Sequence, residues 1–238
     1  MVKVSIITVV YNGAKTIRRT LESVCKQTIL PYEYIIIDGL STDSTLEIVK
    51  EYLANYPFIK YISEKDSGIY DAMNKGIDVA TGELVGIINS DDWYEFNALE
   101  TMTNSYSKYG SGVYYGIQRN ILEDKEYFLE RANHEFIALK MIPHPSTFVS
   151  SDIYKQKGNF NLNFKYSADL DLIIRFLNEH VPFYRVDSII SNFRIGGVSS
   201  SYSAGNESLL IRKQYKLISD KQYYFKILKT KLKSLLRF

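Results

Sequence analysis

The sequence lacks the features that mark several common classes of protein. A single cysteine, Cys25, in 238 residues leaves no pair for an internal disulfide, which fits a reducing compartment. No apolar stretch approaches the roughly 18 residues that a membrane-spanning helix needs. The first residues run directly into an apolar strand pattern and show no cleavable secretory signal. We therefore expect a cytoplasmic protein.

Neither sign of charge dominates, and two familiar phosphate-binding loops are missing. The 29 Lys and Arg residues against 27 Asp and Glu residues give a net charge of +2, which indicates no nucleic-acid partner. After the first apolar run, Tyr11-Asn12-Gly13-Ala14-Lys15 matches neither the Gly-x-Gly-x-x-Gly fingerprint of dinucleotide enzymes nor a P-loop. A dehydrogenase of the NAD or FAD type and a P-loop NTPase are thereby disfavoured.

Strand-like and helix-like segments alternate through the first half of the sequence. Runs of β-branched residues predict buried strands, and the segments between them carry apolar residues at helical spacing. The predicted strands are 4–10, 34–37, 59–62 and 84–88, and the predicted helices are 15–26, 44–56 and 69–80. Such alternation is typical of a Rossmann-like α/β fold, with a mostly parallel central sheet and helices on both faces.

The second half is less regular. Residues 112–120 and 183–186 predict strands, residues 144–149 a loop that continues as a strand, and residues 169–179 a helix. The segment 194–203 is rich in glycine and serine and predicts a loop.

Polar and mostly acidic residues follow the predicted strands of the first half. They are Tyr11 and Asn12, Asp38, Asp66, and the pair Asp91 and Asp92. Because the carboxyl ends of parallel strands meet at one edge of a sheet, we expect these side chains to converge on one crevice. Asp38 there could accept hydrogen bonds from a ribose or base; the alternative is an ordinary Asp-Gly turn.

The adjacent carboxylates of Asp91 and Asp92 follow a buried strand, where charge is costly unless it is neutralised. Mg²⁺ or Mn²⁺ would neutralise it, because these ions prefer oxygen ligands and share coordination with substrate phosphates. The alternative is that one of the two caps a helix that begins near Asn97.

Asp169 and Asp171 lie at the start of a predicted helix. Residues two apart do not share a helix face, so one can face the crevice as a general base while the other caps the helix or pairs with Arg175. Alternatively, both are charges favoured by the helix N-terminus. His144, held between two prolines, could contact a phosphate or metal, or simply fill a turn.

Together these segments resemble glycosyltransferase family 2, whose members have the A-type glycosyltransferase fold. The resemblance runs from about Val4 to Ser199, and its most specific motif, residues 63–76, is similar to a bacterial branch that builds surface polysaccharides. Several residues match family positions near the nucleotide of the donor. The resemblance implies this role for Thr8, Val10, Tyr11, Asn12, Asp38, Asp66, Asn74 and Asp91.

The resemblance also implies roles for residues of the crevice. Asn89-Ser90-Asp91-Asp92 stands where the family has its metal-binding Asp-x-Asp motif, with Asn89 in place of the first aspartate. It implies that Asp91 and Asp92 hold a divalent Mn²⁺ or Mg²⁺ ion and the diphosphate. Asp169, in Ala168-Asp169, matches the family's catalytic base. His144, Gly196 and Gly197 are candidates for the acceptor side or a lid.

The function implied is inverting transfer of a sugar from a nucleotide-diphosphate donor, with UDP as the expected nucleotide. The acceptor would be a hydroxyl of a glycan or lipid-linked molecule in bacterial surface polysaccharide biosynthesis. A sugar nucleotidyltransferase and a non-catalytic nucleotide- or glycan-binding module are the alternatives. We expect a catalytic domain at 1–203, divided into a nucleotide-binding half, 1–95, and an acceptor-side half, 96–203. We expect a C-terminal amphipathic helical tail at 204–238.

The end of this tail, residues 221–238, combines apolar and basic residues at helical spacing. The apolar arc comprises Tyr224, Phe225, Leu228, Leu232, Leu235 and Leu236, with Lys226, Lys229, Lys233 and Arg237 beside it. Such a helix can lie on the anionic inner face of the cytoplasmic membrane. Two alternatives stay open: the helix docks on its own domain, or it pairs with a second copy in a dimer.

Overall fold

Strands and helices alternate through the first half of the chain, close to the predicted bounds. The structure, a computed structural model, describes residues 2–196 and 202–235. The elements are β1 (Val4–Val10), α1 (Ile17–Cys25), β2 (Glu33–Asp38), α2 (Thr45–Asn55), β3 (Ile59–Ser63), α3 (Ile69–Val79) and β4 (Leu84–Ile87).

The second half contains more elements than the sequence pattern predicts. They are β5 (Trp93–Tyr94), α4 (Ala98–Tyr109), β6 (Val113–Leu122), β7 (Lys125–Glu130), β8 (Thr147–Ser150), α5 (Ser151–Lys157), α6 (Ala168–Asn178), β9 (Phe183–Arg194), α7 (Tyr202–Gln214) and α8 (Asp220–Leu235). Short 3₁₀ turns lie at His134–Phe136 and His144–Ser146.

Within the described residues, the strands form one sheet in the order β3-β2-β1-β4-β8-β6-β9-β5, with β7 paired to β6. The first four are parallel, β8 runs antiparallel to β4 and β6, and β6 and β9 are parallel again. Val10 lies opposite Asp38, which in turn lies opposite Ser63. The carboxyl ends of β1, β2 and β3 are therefore level at one edge, as predicted.

Helices cover both faces of the sheet, which confirms the predicted layering. Alternate residues of β1 point to opposite faces: Ile6 packs with α1, α2 and α4, and Ile7 packs with α3, α5 and α6. Both faces of the central strands are apolar, so each is closed from solvent. This burial on both sides is what a strand of a parallel sheet requires.

The prediction for 183–194 was wrong in extent. β9 continues to Arg194, whereas the sequence pattern ends the strand at Val186 and begins a loop at 194. Burial along β9 is irregular and its register against β6 shifts, so it shows no clean alternation of apolar residues. The rest of the predicted loop reaches a turn at Ile195 and Gly196, and residues 197–201 lie outside the described residues.

The two helices of the predicted tail differ in their contacts. Ile211 of α7 is wholly buried in the core, and the Arg212 guanidinium donates to the carbonyl of Ala138. In α8, by contrast, Tyr224 and Phe225 are exposed. Among the helices that the structure describes, none is both long and apolar enough to cross a membrane.

Glu33, the first residue of β2, is a buried carboxylate at the opposite end of the sheet from Asp38. It accepts hydrogen bonds from Ser5 Oγ at 2.6 Å and Thr81 N at 2.6 Å, and its other oxygen lies 3.0 Å from Lys60 Nζ. Burial alone would raise the pKa of Glu33, but these hydrogen bonds outweigh it and lower the pKa to about 2.

We predict that Glu33→Gln lowers the free energy of unfolding by about 3 kcal/mol at neutral pH. The folded pKa is depressed, so the carboxylate's contribution is complete above the ordinary value of 4.5 and is lost as pH falls toward 2. In urea denaturation, the difference in free energy of unfolding between wild type and variant should become smaller from pH 7 down to pH 3. Glu123→Gln, at an exposed turn, should change stability by less than about 0.5 kcal/mol. A difference independent of pH would contradict the prediction.

Candidate active site

A cleft of about 770 Å³ opens at the edge where β1 and β4 end. We call it the strand-end cleft. Its lining comprises Val9, Val10, Tyr11, Asn12, Gly13, Lys15, Thr16, Asp66, Gly68, Ile69, Ala72, Asn89, Ser90, Asp91, Phe193, Arg194, Ile195 and Gly196. The cleft therefore brings together five of the predicted donor-site residues, Val10, Tyr11, Asn12, Asp66 and Asp91, with Gly196. Gly197 lies outside the described residues.

One wall is the loop after β1, which is fixed to the loop after β2. Asn12 has a φ of 51°, a left-handed conformation that asparagine tolerates better than most residues. Its N–H donates to Ser41 Oγ at 2.8 Å, and its Oδ1 accepts from Thr42 N at 2.8 Å. This cross-link leaves the Tyr11 ring 65% exposed at the cleft. A flat aromatic surface is thus available to a planar ligand group.

Three predicted donor-site residues do not line the cleft. Thr8 is buried in β1 and bonds the Tyr34 hydroxyl at 2.9 Å. Asp38 is also buried, accepting from Ser41 N at 3.1 Å and Ser63 Oγ at 2.6 Å. In these contacts, Asp38 holds the loop that in turn holds Asn12.

Asn74, the third of them, belongs to α3. Its Nδ2 donates to the carbonyl of Phe160 and its Oδ1 accepts the N–H of the same residue, each at 2.9 Å. The side chain thereby mimics a strand partner and fixes the segment before α6.

Asp66 faces the cleft from the loop before α3. Its Oδ1 accepts from Gly68 N at 3.0 Å, and Gly68 has a φ of +130°, which favours glycine. A side chain at Gly39 would collide with the Asp66 carboxylate. The glycines at 39 and 68 therefore allow this carboxylate to reach the cleft.

Asp91 and Asp92 diverge although they are adjacent in sequence. Asp91 lines the cleft, and burial raises its pKa while Arg194 opposes part of the rise. Asp92 is fully buried and accepts from Arg194 N at 3.0 Å; burial and then the charge of Asp91 raise its pKa well above the ordinary range. The helix-capping alternative does not describe this arrangement, because β5 separates the pair from α4.

Asn89 and Asp91 are the residues that could hold a divalent cation. The buried Oδ1 of Asn89 has no hydrogen-bond partner within residues 2–196 and 202–235, and Asn89 lines the cleft beside Asp91. Both side chains offer oxygen, the ligand that Mg²⁺ and Mn²⁺ prefer. Over the same residues no cluster of three or more acidic, histidine or cysteine side chains could hold a metal. A bound ion would thus need further oxygens from a ligand.

Positive charge reaches the cleft from Lys15 and Arg194. The Arg194 guanidinium lies 3.3 Å from Asp124 Oδ1, which also pairs with Arg19 at 3.5 Å. Sequence reasoning missed Arg194 because it ended β9 at Val186. A strand prediction that continued to 194 would have placed it at a strand end, like the acidic residues.

A second cavity of about 280 Å³ adjoins the cleft, and we call it the Asp169 pocket. It shares Ile69, Asn89 and Phe193 with the cleft. The rest of its lining comprises Tyr70, Met73, Gln118, Glu130, Met141, Ile142, Pro143, His144, Pro145, Lys165, Tyr166 and Asp169.

Asp169 is held by two donors at the start of α6. Its Oδ1 accepts from the Tyr70 hydroxyl at 3.0 Å and from Leu170 N at 2.9 Å. Burial raises the pKa of Asp169, and these hydrogen bonds and His144 limit the rise. A raised pKa makes a carboxylate a stronger base, so this side chain is suited to accept a proton.

Asp171 points away from the pocket, as the spacing predicts, and accepts from the Tyr215 hydroxyl at 2.8 Å. The predicted pairing with Arg175 is not what the structure shows. The Arg175 guanidinium donates instead to the carbonyls of Lys157 and Asn159.

His144 brings a buried polar atom to the Asp169 pocket. Its Nε2 has no hydrogen-bond partner in the part of the chain that the structure describes. Burial lowers the pKa of His144, which favours the neutral imidazole. The Phe160 ring packs edge-on against it, with centroids 5.7 Å apart. The alternative that His144 only fills a turn leaves this nitrogen unexplained.

Comparison with known proteins shows the relatives of the chain. The chain is 32% identical to chondroitin synthase of Escherichia coli over 204 residues, which are 83% of this chain but 30% of that protein. It is 30% identical to the PGL/p-HBAD biosynthesis glycosyltransferase of Mycobacterium bovis, over 83% of this chain and 79% of that protein. The chain thus spans less than a third of the chondroitin synthase.

The fold matches S. aureus TarS 1-349 in complex with UDP-GlcNAc with a TM-score of 0.73 at 21% identity, over 88% of this chain and 65% of that one. This confirms the predicted A-type glycosyltransferase fold. The model of the family described as glycosyl transferase family 2 matches residues 5–193, which include the strand ends and Asp169. The chain belongs to glycosyl transferase family 2.

Proposed function

We propose that this protein transfers a sugar from a UDP-sugar to a hydroxyl of a glycan or lipid-linked acceptor, with inversion, in bacterial polysaccharide biosynthesis. The observation that carries the proposal is the contact between the two cavities across Ile69, Asn89 and Phe193. A donor in the strand-end cleft can therefore present its sugar to an acceptor beside Asp169. The names of the chondroitin synthase relatives and the UDP-GlcNAc complex of TarS support the donor and the pathway.

The strand-end cleft is the proposed donor site. The exposed ring of Tyr11 and the carboxylate of Asp66 are suited to the base and ribose, because one stacks and the other accepts hydrogen bonds. Lys15 and Arg194 bring positive charge to the diphosphate. Asp38 serves this site indirectly, because it holds the loop after β2 to which Asn12 is bonded.

A divalent Mn²⁺ or Mg²⁺ ion is proposed at Asp91 and Asn89. When bound, such an ion neutralises the negative charge that grows on the diphosphate leaving group. Asp92 is the second predicted ligand. Its carboxylate accepts a hydrogen bond from Arg194 N and lies in the core beside Asp91. The raised pKa of Asp91 and the unpartnered oxygen of Asn89 both support a cation at this place.

In the Asp169 pocket, Asp169 is the proposed base. The acceptor oxygen forms a bond to the anomeric carbon as the bond to the diphosphate breaks, and the hydroxyl proton passes to the Asp169 carboxylate. The Tyr70 hydroxyl fixes that carboxylate. The unpartnered Nε2 of His144, a residue of the same pocket, is the proposed partner of an acceptor hydroxyl. Attack and departure on opposite sides of the carbon give inversion without a covalent enzyme intermediate.

We predict that Asp169→Asn lowers the rate of transfer by 10²- to 10⁴-fold, because the amide cannot take the proton. The change leaves the strand-end cleft intact, so UDP affinity should stay within about twofold of wild type. Release of UDP from a panel of UDP-sugars with glycan acceptors measures the first quantity, and calorimetry with UDP the second.

Asp187→Asn, on the exposed surface, is the control and should leave both values unchanged. Full transfer by the Asp169 variant would remove the base role. A wild type that binds UDP but transfers sugar from none of the UDP-sugars would favour a nucleotide- or glycan-binding module instead.

The metal proposal predicts that UDP raises the melting temperature more with Mn²⁺ than with EDTA. A ligand at about 100 times its Kd stabilises the folded state by about 2.7 kcal/mol. Asp91→Asn should abolish the Mn²⁺-dependent part of the shift, whereas Asp78→Asn, on an exposed helix surface, should retain it. Equal shifts with Mn²⁺ and EDTA in the wild type would contradict the proposal.

We further propose that α8 attaches the protein to the anionic inner face of the cytoplasmic membrane. Tyr224, Phe225 and Leu228 are 63%, 66% and 58% exposed and share one arc of the helix. The exposed lysine at 229 lies beside that arc, and the exposed lysine at 221 lies on the same side near the start of the helix. Apolar insertion together with positive charge suits an anionic lipid surface. The side chains of 231–238, including Leu232, Leu235 and Leu236, lie outside those described.

We predict that the protein sediments with phosphatidylserine-containing vesicles at low salt and dissociates as salt screens the lysines. Changing Tyr224, Phe225 and Leu228 together to serine should reduce binding at least tenfold. Changing the exposed Tyr127 and Leu139 to serine should not reduce it. Indifference of the wild type to anionic vesicles would overturn the proposal, and a mass that doubles with concentration would favour the dimer.

A further inference from the structure

One carboxylate of α7 holds the chain immediately before the proposed base. Glu207 Oε1 accepts from Lys165 N at 2.9 Å, and Oε2 accepts from Tyr166 N at 2.6 Å and Ser167 N at 2.7 Å. Three successive backbone N–H groups thus converge on a single side chain. Hydrogen bonds to a charged acceptor are roughly twice as strong as neutral ones.

The held segment supplies one wall of the Asp169 pocket. Lys165 and Tyr166 line that pocket, and Ser167 is the residue from which α6 starts. Asp169 is the second residue of α6, so its position follows that of the segment. Glu207 itself is not part of the pocket lining within the described residues. Any effect of Glu207 on transfer therefore passes through the backbone of 165–167.

The helix that carries Glu207 is itself anchored. Ile211, one turn further along α7, is wholly buried in the core that contains α6. Ser167 Oγ donates to the carbonyl of Ala204, and the Tyr215 hydroxyl donates to Asp171. These contacts fix α7 to α6 on both sides of Glu207. The carboxylate therefore has a rigid support from which to position the segment.

We propose that Glu207 is a positioning residue for the transfer reaction. It fixes the position of Asp169 and of the pocket wall formed by Lys165 and Tyr166, and it does not touch substrate. The proposal rests on the proposed role of Asp169 as the base. A carboxylate is needed because three donors require two acceptor oxygens. A glutamine of the same size offers one oxygen and turns an N–H₂ group toward N–H donors.

The test is the steady-state kinetics of Glu207→Gln with saturating UDP-sugar and varied acceptor. We expect kcat to fall about 10- to 100-fold, because a displacement of about 1 Å at a reacting group costs up to this much. The KM for acceptor should rise, while the Kd for UDP stays at the wild-type value because the strand-end cleft is untouched. Glu135→Gln, a change of the same chemistry at an exposed residue, should leave all three values unchanged.

Glu207→Asp is the second variant, since it keeps the charge but shortens the reach by about 1.5 Å. Its kcat should lie between those of wild type and Glu207→Gln. The proposal is overturned if Glu207→Gln retains wild-type kcat and acceptor KM. It is also overturned if kcat and UDP binding of this variant fall together, in proportion to the folded fraction measured by circular dichroism. If Asp169→Asn also retains transfer, the proposed base role of Asp169 fails and the positioning role fails with it. If Asp169→Asn loses transfer and Glu207→Gln keeps wild-type kinetics, the positioning role alone fails.

Discussion

The close approach of α3 to β1 joins the two cavities of the site. A Cβ on Gly76 would lie 2.5 Å from Ile7 Cγ2, so only glycine lets the helix lie this near the sheet. From that position α3 places Ile69 in the walls of both cavities and directs the Tyr70 hydroxyl to Asp169. The second turn of the same helix carries Asn74, which fixes the chain at Phe160. This packing therefore gives the cleft and the proposed base a common support in α3.

Polar atoms without a hydrogen-bond partner favour a polar ligand at the site. Asn89 Oδ1, Arg194 Nε and His144 Nε2 are buried without hydrogen-bond partners in the described part of the chain, and all three residues line the two cavities. Each such group costs about 1–3 kcal/mol when it is left unsatisfied. A ligand that supplies the missing partners recovers this free energy on binding. Asp91, whose pKa is raised by burial, adds a demand for positive charge in the same place.

Local pattern was enough to predict the first half of the fold, because its strands are short β-branched runs and its helices carry clear apolar faces. The strand ends then placed Asp66 and Asp91 at the cleft correctly. A strand buried on both faces, however, has no alternation that tells which side chain reaches the edge. The resemblance implies a place near the nucleotide for Thr8 and Asp38, and the pattern of their strands does not show that both side chains are buried.

The remaining errors concern contacts between distant segments. Arg194 was missed because the irregular burial of β9 hid the true end of the strand. The hydrogen bonds from Lys165, Tyr166 and Ser167 to Glu207 span about 40 residues, and no spacing or motif in the sequence indicates them. Such hydrogen bonds depend on how the helices pack against each other. The residue pattern of a single sequence does not show that packing.

The limits of the family match and of the folded unit do not coincide. The match ends at residue 193, and every residue that we assign to the donor lies within it except Arg194. The support of Asp169 reaches further, to Glu207 and the buried Ile211 of α7. The predicted boundary at 203 stays untested as a domain limit, but α7 packs as part of the core and α8 exposes its aromatic residues. A change confined to Glu207 would therefore act on the Asp169 pocket and leave the strand-end cleft as it is. Under the proposed function, α7 is thus a part of the chain through which acceptor geometry can vary independently of the donor.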